Sequence, residues 1–171
     1  MNLGIRRARL LTAAAAVCGV AVALLVWSFW PSAPQAPGAD RVRQYANVRA
    51  CMLTGPDGVT NSVAAAAWAG MQGASSSSRA MVSYLPVPGP ASKAAALPYL
   101  ASLVQRQCTV IVAVGQAQVA AATSQAARYG HVHFIVISQG PADAGVVRVP
   151  STPTAQVHQA VQAAVSAAVS G

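Results

Sequence analysis

Few side chains in this sequence could carry out catalysis. Its 171 residues include three aspartates and no glutamate, and the spacing of the three offers no carboxylate pair for acid/base chemistry. Asp57 stands between Pro56 and Gly58 and is typical of a turn. The run "SSSS", from Ser75 to Ser78, is interpreted as a polar loop and lacks the G-x-S-x-G context of an activated serine. We therefore expect no catalytic residues and no enzyme activity.

The histidines do not form a convincing metal site. His131 and His133 are separated by one residue, so both would project from one face at the start of a predicted strand, and His158 falls on the last predicted helix. Zinc needs three or four ligands, so solvated or capping histidines are the better interpretation. The loop from Thr54 to Asn61 also lacks the glycine patterns that cradle phosphates. We expect neither a metal ion nor a cofactor.

Cys51 and Cys108 are the two cysteines beyond the N-terminal apolar segment. They fall at the starts of the first and third predicted strands, which are neighbours in the predicted sheet. A strand spacing of about 4.8 Å is compatible with the Cα separation of a disulfide. In an oxidising compartment a bridge is favoured over two buried thiols, and it would contribute on the order of 4 kcal/mol in the chain-entropy model.

The formal net charge of +8 is not concentrated in a nucleic-acid-binding surface. Arg6, Arg7 and Arg9 lie at the extreme N-terminus. The other basic residues are scattered from Arg41 to Arg148 and are opposed by the three aspartates, which leaves a mildly basic surface. We therefore expect no nucleic-acid partner.

The N-terminal segment has the length and flanks of a membrane anchor. From Leu10 to Trp30 the chain carries no formal charge, and as a helix it would span about 31 Å, which matches a hydrocarbon core of roughly 30 Å. The preceding arginines favour a cytoplasmic N-terminus, and the aromatic residues near Trp30 suit the outer interface. We predict a single-pass cell-membrane protein whose C-terminal domain is extracytoplasmic.

Two alternatives remain open for this segment. A cleaved signal peptide would have a shorter apolar region and an A-x-A-like site, which does not follow Trp30. A lipoprotein would carry its lipid on Cys18, yet mostly apolar residues follow that cysteine instead of a polar tether. The anchor interpretation divides the chain into a basic cytoplasmic N-terminus (1–9), a transmembrane signal anchor (10–30), a Pro-rich linker (31–47) and a single lobe (48–171).

Short β-branched runs alternate with helical stretches beyond the linker, which predicts an α/β fold with a parallel sheet. The predicted strands are residues 48–54, 80–87, 109–114, 132–138 and 146–149. The predicted helices are residues 61–74, 92–107, 116–129 and 154–170. Pro86 favours an edge position for the second strand, and Pro98 predicts a kink or a late start in the second helix. We predict a three-layer, doubly wound sheet of five strands in the order 2-1-3-4-5.

Three stretches of the chain resemble a known family. They are "ACMLTGPDGVTNSVAAAAWAGM", "YLASLVQRQCTVIVAVG" and "AARYGHVHFIVIS", and their most specific elements are the W-x-G at Trp68 to Gly70 and the strand that ends at Gly115. Over residues 48–150 the chain resembles the N-terminal lobe of the basic membrane protein family, the nucleoside-type periplasmic substrate-binding proteins of ABC transporters. The resemblance implies a type I periplasmic-binding fold, an extracytoplasmic location and a small-molecule ligand.

The chain departs from that family in its ligand contacts. Family members have two lobes, whereas one lobe is expected here. The family segment before W-x-G commonly reads Asp-x-Ser-Phe-Asn, and of its counterparts here only the serine is kept. Those counterparts are Thr60, Ser62, Val63 and Ala64. Ser138 stands where an acid often follows the fourth strand of the family.

We expect a binding crevice outside the carboxyl ends of the first and third strands, because ligands of doubly wound sheets gather where the strand order reverses. Its predicted residues are Thr54, Asp57, Asn61, Ser62, Gly115, Gln116 and Ser138. The ligand would be a small polar molecule such as a nucleoside or sugar, and the partner a membrane permease or a second copy of the chain. The alternative hypothesis is a non-catalytic interaction or scaffold domain of the cell envelope that has lost small-molecule binding.

Overall fold

Five strands and four helices alternate along residues 47–141 and 143–170, the part of the chain that the computed structural model describes. The strands are β1 Arg49–Thr54, β2 Met81–Pro86, β3 Val110–Val114, β4 His133–Ile137 and β5 Val146–Val149. The helices are α1 Ser62–Ser78, α2 Lys93–Gln105, α3 Gln116–Gln125 and α4 Thr154–Ser170. Within these residues no helix has both the length and the hydropathy to cross a membrane. The predicted anchor from Leu10 to Trp30 lies outside them.

The strands form one parallel sheet in the order β2-β1-β3-β4-β5, which confirms the predicted topology. Ala50 of β1 is in register with Val82 of β2 on one side and with Val110 of β3 on the other. Strands β3 and β4 are central and almost entirely buried, as their continuous apolar runs predict. Strand β2 lies at an edge, where Pro86 can end the strand without breaking a ladder on both sides.

Two apolar layers cover the two faces of the sheet. Helices α1 and α4 pack on one face, where Met71 of α1 and Val161 of α4 are fully buried. Helices α2 and α3 pack on the other face, where Leu100 and Leu103 of α2 lie against Phe134 of β4 and its neighbours. The architecture is therefore the predicted three-layer α/β arrangement.

Helix α1 is anchored to the sheet and to α4 on different sides. Trp68 is half-buried against the core and meets Tyr84 of β2 edge to face, with ring centroids 5.3 Å apart. On the side facing α4, Gly70 is buried so close to the neighbouring helix that a Cβ there would lie 2.5 Å from the carbonyl oxygen of His158. A glycine in the middle of α1 therefore permits the close contact between the two helices.

Cys51 and Cys108 form the predicted disulfide, with their Cα atoms 5.9 Å apart. Cys51 lies in β1, and Cys108 precedes β3, whose residue Ile111 is in register with Cys51. Both cysteines are buried beneath α2. The bridge therefore joins the amino-terminal ends of two neighbouring strands.

The serine run belongs to helix α1 and not to a loop, so that interpretation was wrong. The hydroxyl groups of Ser76 and Ser78 donate to the carbonyl oxygens four residues earlier, at 3.0 and 2.7 Å. These bonds satisfy the hydroxyl groups within the helix, so the serines do not stabilise a turn that would compete with it. Arg79, with a φ of 61°, then ends the helix.

Helices α2 and α3 also differ from their predicted bounds. Ser92 caps α2 by accepting from the N–H of Ala95 at 3.2 Å, so the helix begins at Lys93 and a late start near Pro98 is wrong. Helix α3 ends at Gln125, because the N–H of Arg128 bonds the Gln125 carbonyl oxygen and turns the chain away.

Candidate functional site

A cleft of about 360 Å³ opens at the carboxyl ends of the strands, beside the point where the strand order reverses between β1 and β3. The β1–α1 loop forms one wall, and the start of α3 forms another. The lining residues are Gly55, Asp57, Gly58, Asn61, Val63, Ala64, Ala91, Val114, Gly115, Gln116, Ala117, Gln118, Ile137 and Ser151. This is the position at which doubly wound sheets bind their ligands.

The β1–α1 loop is closed by bonds within its own backbone. The N–H of Gly58 donates to the carbonyl oxygen of Gly55 at 3.0 Å. The carbonyl oxygen of Asp57 accepts both the N–H and the hydroxyl of Thr60, at 3.1 and 2.8 Å. Gly58 has a φ of 58°, which favours glycine at this turn. The loop therefore holds a defined shape without help from a ligand.

Asn61 links this loop to helix α1. Its side-chain oxygen accepts from the N–H groups of Val63 and Ala64 at 2.9 and 3.4 Å, so Asn61 is the N-cap. The preceding residue, Thr60, closes the turn through the bond from its hydroxyl to the carbonyl oxygen of Asp57. Because the Asn61 oxygen satisfies the first turn of α1, that helix presents fewer free N–H groups to the cleft.

The start of α3 has no such cap. Gly115 occupies the N-cap position with a φ of 106°, and no side chain accepts from the first turn. The N–H of Val119 makes the first backbone bond of the helix, to the carbonyl oxygen of Gly115 at 2.9 Å. The backbone N–H groups of Gln116 and Ala117 precede that bond and belong to residues that line the cleft. They are available to bind an acceptor.

Gln118 is the buried polar residue of the cleft. Its side chain is 3% exposed, and its Nε2 donates to the carbonyl oxygen of Thr54 at 3.2 Å. That bond joins helix α3 to the carboxyl-terminal end of β1, the strand next to β3 in the sheet. The residues around it are mostly apolar, with Val63, Val114 and Ile137 contributing the largest hydrophobic side chains of the lining.

The structure brings four of the seven predicted binding residues into the cleft lining, namely Asp57, Asn61, Gly115 and Gln116. Thr54 does not line it, since the residue is almost fully buried and its Oγ1 has no hydrogen-bond partner. Ser62 is exposed at the start of α1. The hydroxyl of Ser138 accepts from Arg148, which also pairs with Asp143 in the β4–β5 loop.

Gln118 and Ser151 line the cleft but were not among the predicted residues. Gln118 is three residues after the N-cap Gly115, a position from which a glutamine side chain can turn back toward the start of its helix. That spacing is visible in the sequence. Its bond to Thr54 is not visible, because the two residues are 64 positions apart.

A second cavity, of about 420 Å³, lies at the opposite ends of the strands. It is lined by the disulfide, Ser75, the β2 residues Met81, Val82 and Ser83, and the side chains of Arg49 and Arg106. Arg49 donates to the backbone carbonyl oxygen of Arg106 at 3.4 Å, so this arginine braces the chain that leads to Cys108. We interpret this cavity as part of the surroundings of the disulfide.

Comparisons with known proteins support the fold. No family model matches the chain, and no curated protein matches it significantly. Among solved structures, the chain is similar to the crystal structure of a "putative lipoprotein" fragment from Peptoclostridium difficile 630, with 13% identity and a TM-score of 0.57. The similarity covers 70% of this chain and 98% of that one. At this identity the likeness shows the α/β fold alone.

Proposed function

We propose that this chain is a non-catalytic, extracytoplasmic module that binds a small polar ligand in the cleft between the β1–α1 loop and the start of α3. The observation that carries the proposal is Gln118, a buried amide that lines a largely apolar cleft at the switch point of the sheet. Ligand sites are mostly apolar concavities with a few convergent polar groups. The uncapped N–H groups of α3 supply the remaining polar contacts.

The proposed location is the outer side of the cell membrane, with the segment from Leu10 to Trp30 as the anchor. The Cys51–Cys108 bridge supports this location, because disulfides persist in oxidising compartments and are rare in the cytosol. The name of the similar solved structure also agrees with an envelope location, since lipoproteins are held at membranes.

A relation to the basic membrane protein family is part of the same proposal. The W-x-G from Trp68 to Gly70 and the strand that ends at Gly115 support it. One lobe buries only part of a ligand, so a second copy of the chain or a membrane permease would supply the other wall. Nucleosides and sugars are the first ligands to test, because the cleft offers both polar and apolar contacts.

Thermal unfolding of the full-length chain in detergent micelles tests the proposal. A ligand at about ten times its dissociation constant should raise the free energy of unfolding by about 1.4 kcal/mol. Tryptophan fluorescence can follow the transition while nucleosides, sugars and neutral amides are added in turn. The Gln118→Met variant should lose the stabilisation, and Gln72→Met, on an exposed position of α1 outside the cleft lining, should keep it.

The absence of stabilisation by every probe at millimolar concentration would contradict ligand binding. It would favour a second candidate, an interaction or scaffold domain of the cell envelope. Val63 and Ala64 favour that candidate, because they place apolar groups in the cleft lining where the family has an aromatic and an amide contact. Crosslinking in intact membranes that yields only the monomer would in turn contradict the second candidate.

A further inference from the structure

The side-chain amide of Gln118 is held in one orientation. Its Nε2 donates to the carbonyl oxygen of Thr54, which also accepts the N–H of Val87 at 2.9 Å. A Cβ at position 115 would lie 2.5 Å from Oε1 of Gln118, so this oxygen lies beside Gly115 at the start of α3. No hydrogen bond to Oε1 is made by any residue of 47–141 or 143–170. Oε1 is therefore a fixed, unused acceptor in a nine-tenths buried side chain.

Free donors lie next to this acceptor. Helices α1 and α2 are capped by the side chains of Asn61 and Ser92, whereas α3 begins at Gly115 without a side-chain cap. The first-turn N–H groups of Gln116 and Ala117 therefore remain available. The cleft presents an acceptor and a group of donors side by side.

The charges around the cleft disfavour an anionic ligand. Asp57 is the one charged side chain in the described lining, which contains no lysine, arginine or histidine. A carboxylate would face both the Asp57 charge and the lone pairs of Gln118 Oε1, with only the partial positive charge of the α3 N-terminus to offset them. A cation would be attracted by Asp57, but it would leave the free N–H groups at the start of α3 without an acceptor. A neutral group that carries both an acceptor and a donor can pair with those N–H groups and with Oε1 of Gln118.

We infer that the cleft selects a neutral ligand that carries a carboxamide-like group, with an N–H beside a C=O. Oε1 of Gln118 accepts from the N–H of the ligand, and the first turn of α3 donates to its carbonyl oxygen. Val63, Val114 and Ile137 contact the apolar remainder of the ligand. This inference rests on the proposed function and specifies the chemical class of ligand.

A comparison of nicotinamide with nicotinate tests the inference, because the two share a ring and differ in an amide against a carboxylate. Each is titrated into the isotope-labelled full-length chain in micelles at neutral pH. NMR follows the side-chain amide of Gln118 and the backbone N–H groups of Gln116 and Ala117. Nicotinamide should shift these signals to saturation in the millimolar range, and nicotinate should bind at least about tenfold more weakly, a difference of about 1.4 kcal/mol.

Two matched variants separate the role of Gln118 from a general effect of substitution. Gln118→Met keeps an unbranched side chain of similar length but removes the amide, so nicotinamide should bind at least about tenfold more weakly. Gln72→Met makes the same change on an exposed position of α1 and should leave binding unchanged. If Gln118→Met does not fold, the comparison of nicotinamide with nicotinate on the unaltered chain still tests whether the cleft selects a neutral amide.

The outcomes distinguish this inference from the function on which it rests. Equal or tighter binding of nicotinate at the cleft would overturn the inference and leave ligand binding intact. Binding of a sugar that carries only hydroxyl groups, without binding of nicotinamide, would have the same meaning. If none of these probes moves the cleft signals, both the inference and the proposed function fail.

Discussion

Gly115 is the residue on which the shape of the cleft depends most directly. Its φ of 106° and ψ of 148° fall in a region that side-chain-bearing residues rarely adopt. A Cβ at this position would also lie 2.5 Å from Oε1 of Gln118. Strain and collision therefore act at the same point, where β3 passes into α3.

Gly115→Ala should lower the free energy of unfolding by about 1–3 kcal/mol from backbone strain alone, and it should displace the Gln118 side chain. Chemical denaturation measures the first effect, and the NMR signal of the Gln118 amide reports the second. Gly130→Ala is the matched control, since a Cβ at position 130 meets no atom within 4 Å. Equal stability of the two variants would contradict this account of Gly115.

At the scale of the elements, two glycines of α1 allow α4 to pack closely against it. One of them lies against the backbone of α4 and the other against a side chain of α4. A Cβ at Gly70 would meet backbone atoms, 2.5 Å from the oxygen of His158 and 3.1 Å from the nitrogen of Gln162. A Cβ at Gly73 would meet the Gln162 side chain at 2.8 Å. A side chain can rotate away, whereas the backbone of a packed helix cannot.

Gly70→Ala should therefore destabilise the protein by about 1–3 kcal/mol, because overpacking outweighs the roughly 1 kcal/mol that alanine gains over glycine in a helix. Gly73→Ala should be near neutral, since the helix propensity of alanine offsets the cost of moving Gln162. Thermal or urea unfolding of the two variants checks that Gly70→Ala loses more stability than Gly73→Ala. A greater loss for Gly73→Ala would show that the α1–α4 contact does not depend on Gly70.

The elements were more predictable from the sequence than the cleft. The alternation of strand and helix patterns and the Pro86 that ends β2 were enough to predict a parallel sheet with β2 at its edge. The serine run was wrongly assigned to a loop, because the sequence does not show where its hydroxyl groups bond. In the structure, Ser76 and Ser78 donate to carbonyl oxygens of helix α1. Gln118 was missed because its burial depends on a carbonyl oxygen at Thr54, and alternation of apolar residues carries no information about such a pair.

For the whole molecule, strands β1 and β3 connect the cleft to the disulfide. The cleft opens beyond their carboxyl ends, and the Cys51–Cys108 bridge joins them near their amino ends. The strands are paired from Ala50 and Val110 to Leu53 and Ala113, so the bridge lies at the amino-terminal end of this ladder and the cleft beyond its carboxyl-terminal end. The bridge therefore stabilises the pair of strands that positions Thr54 and Gly115.

Reduction of the bridge should lower the free energy of unfolding by about 2–4 kcal/mol, because the unfolded chain regains the freedom of a loop whose ends are 57 positions apart. The measurement is chemical denaturation of the full-length Cys18→Ala variant with and without reductant, so that released thiols come from this pair alone. Because the β1–β3 ladder and the buried core remain, the reduced protein should stay folded in the absence of denaturant. An unchanged denaturation midpoint in a sample whose mass after alkylation shows two free thiols would contradict a stabilising role. If reduction unfolds the domain in the absence of denaturant, the sheet cannot form without the bridge, and the prediction of a folded reduced protein is wrong.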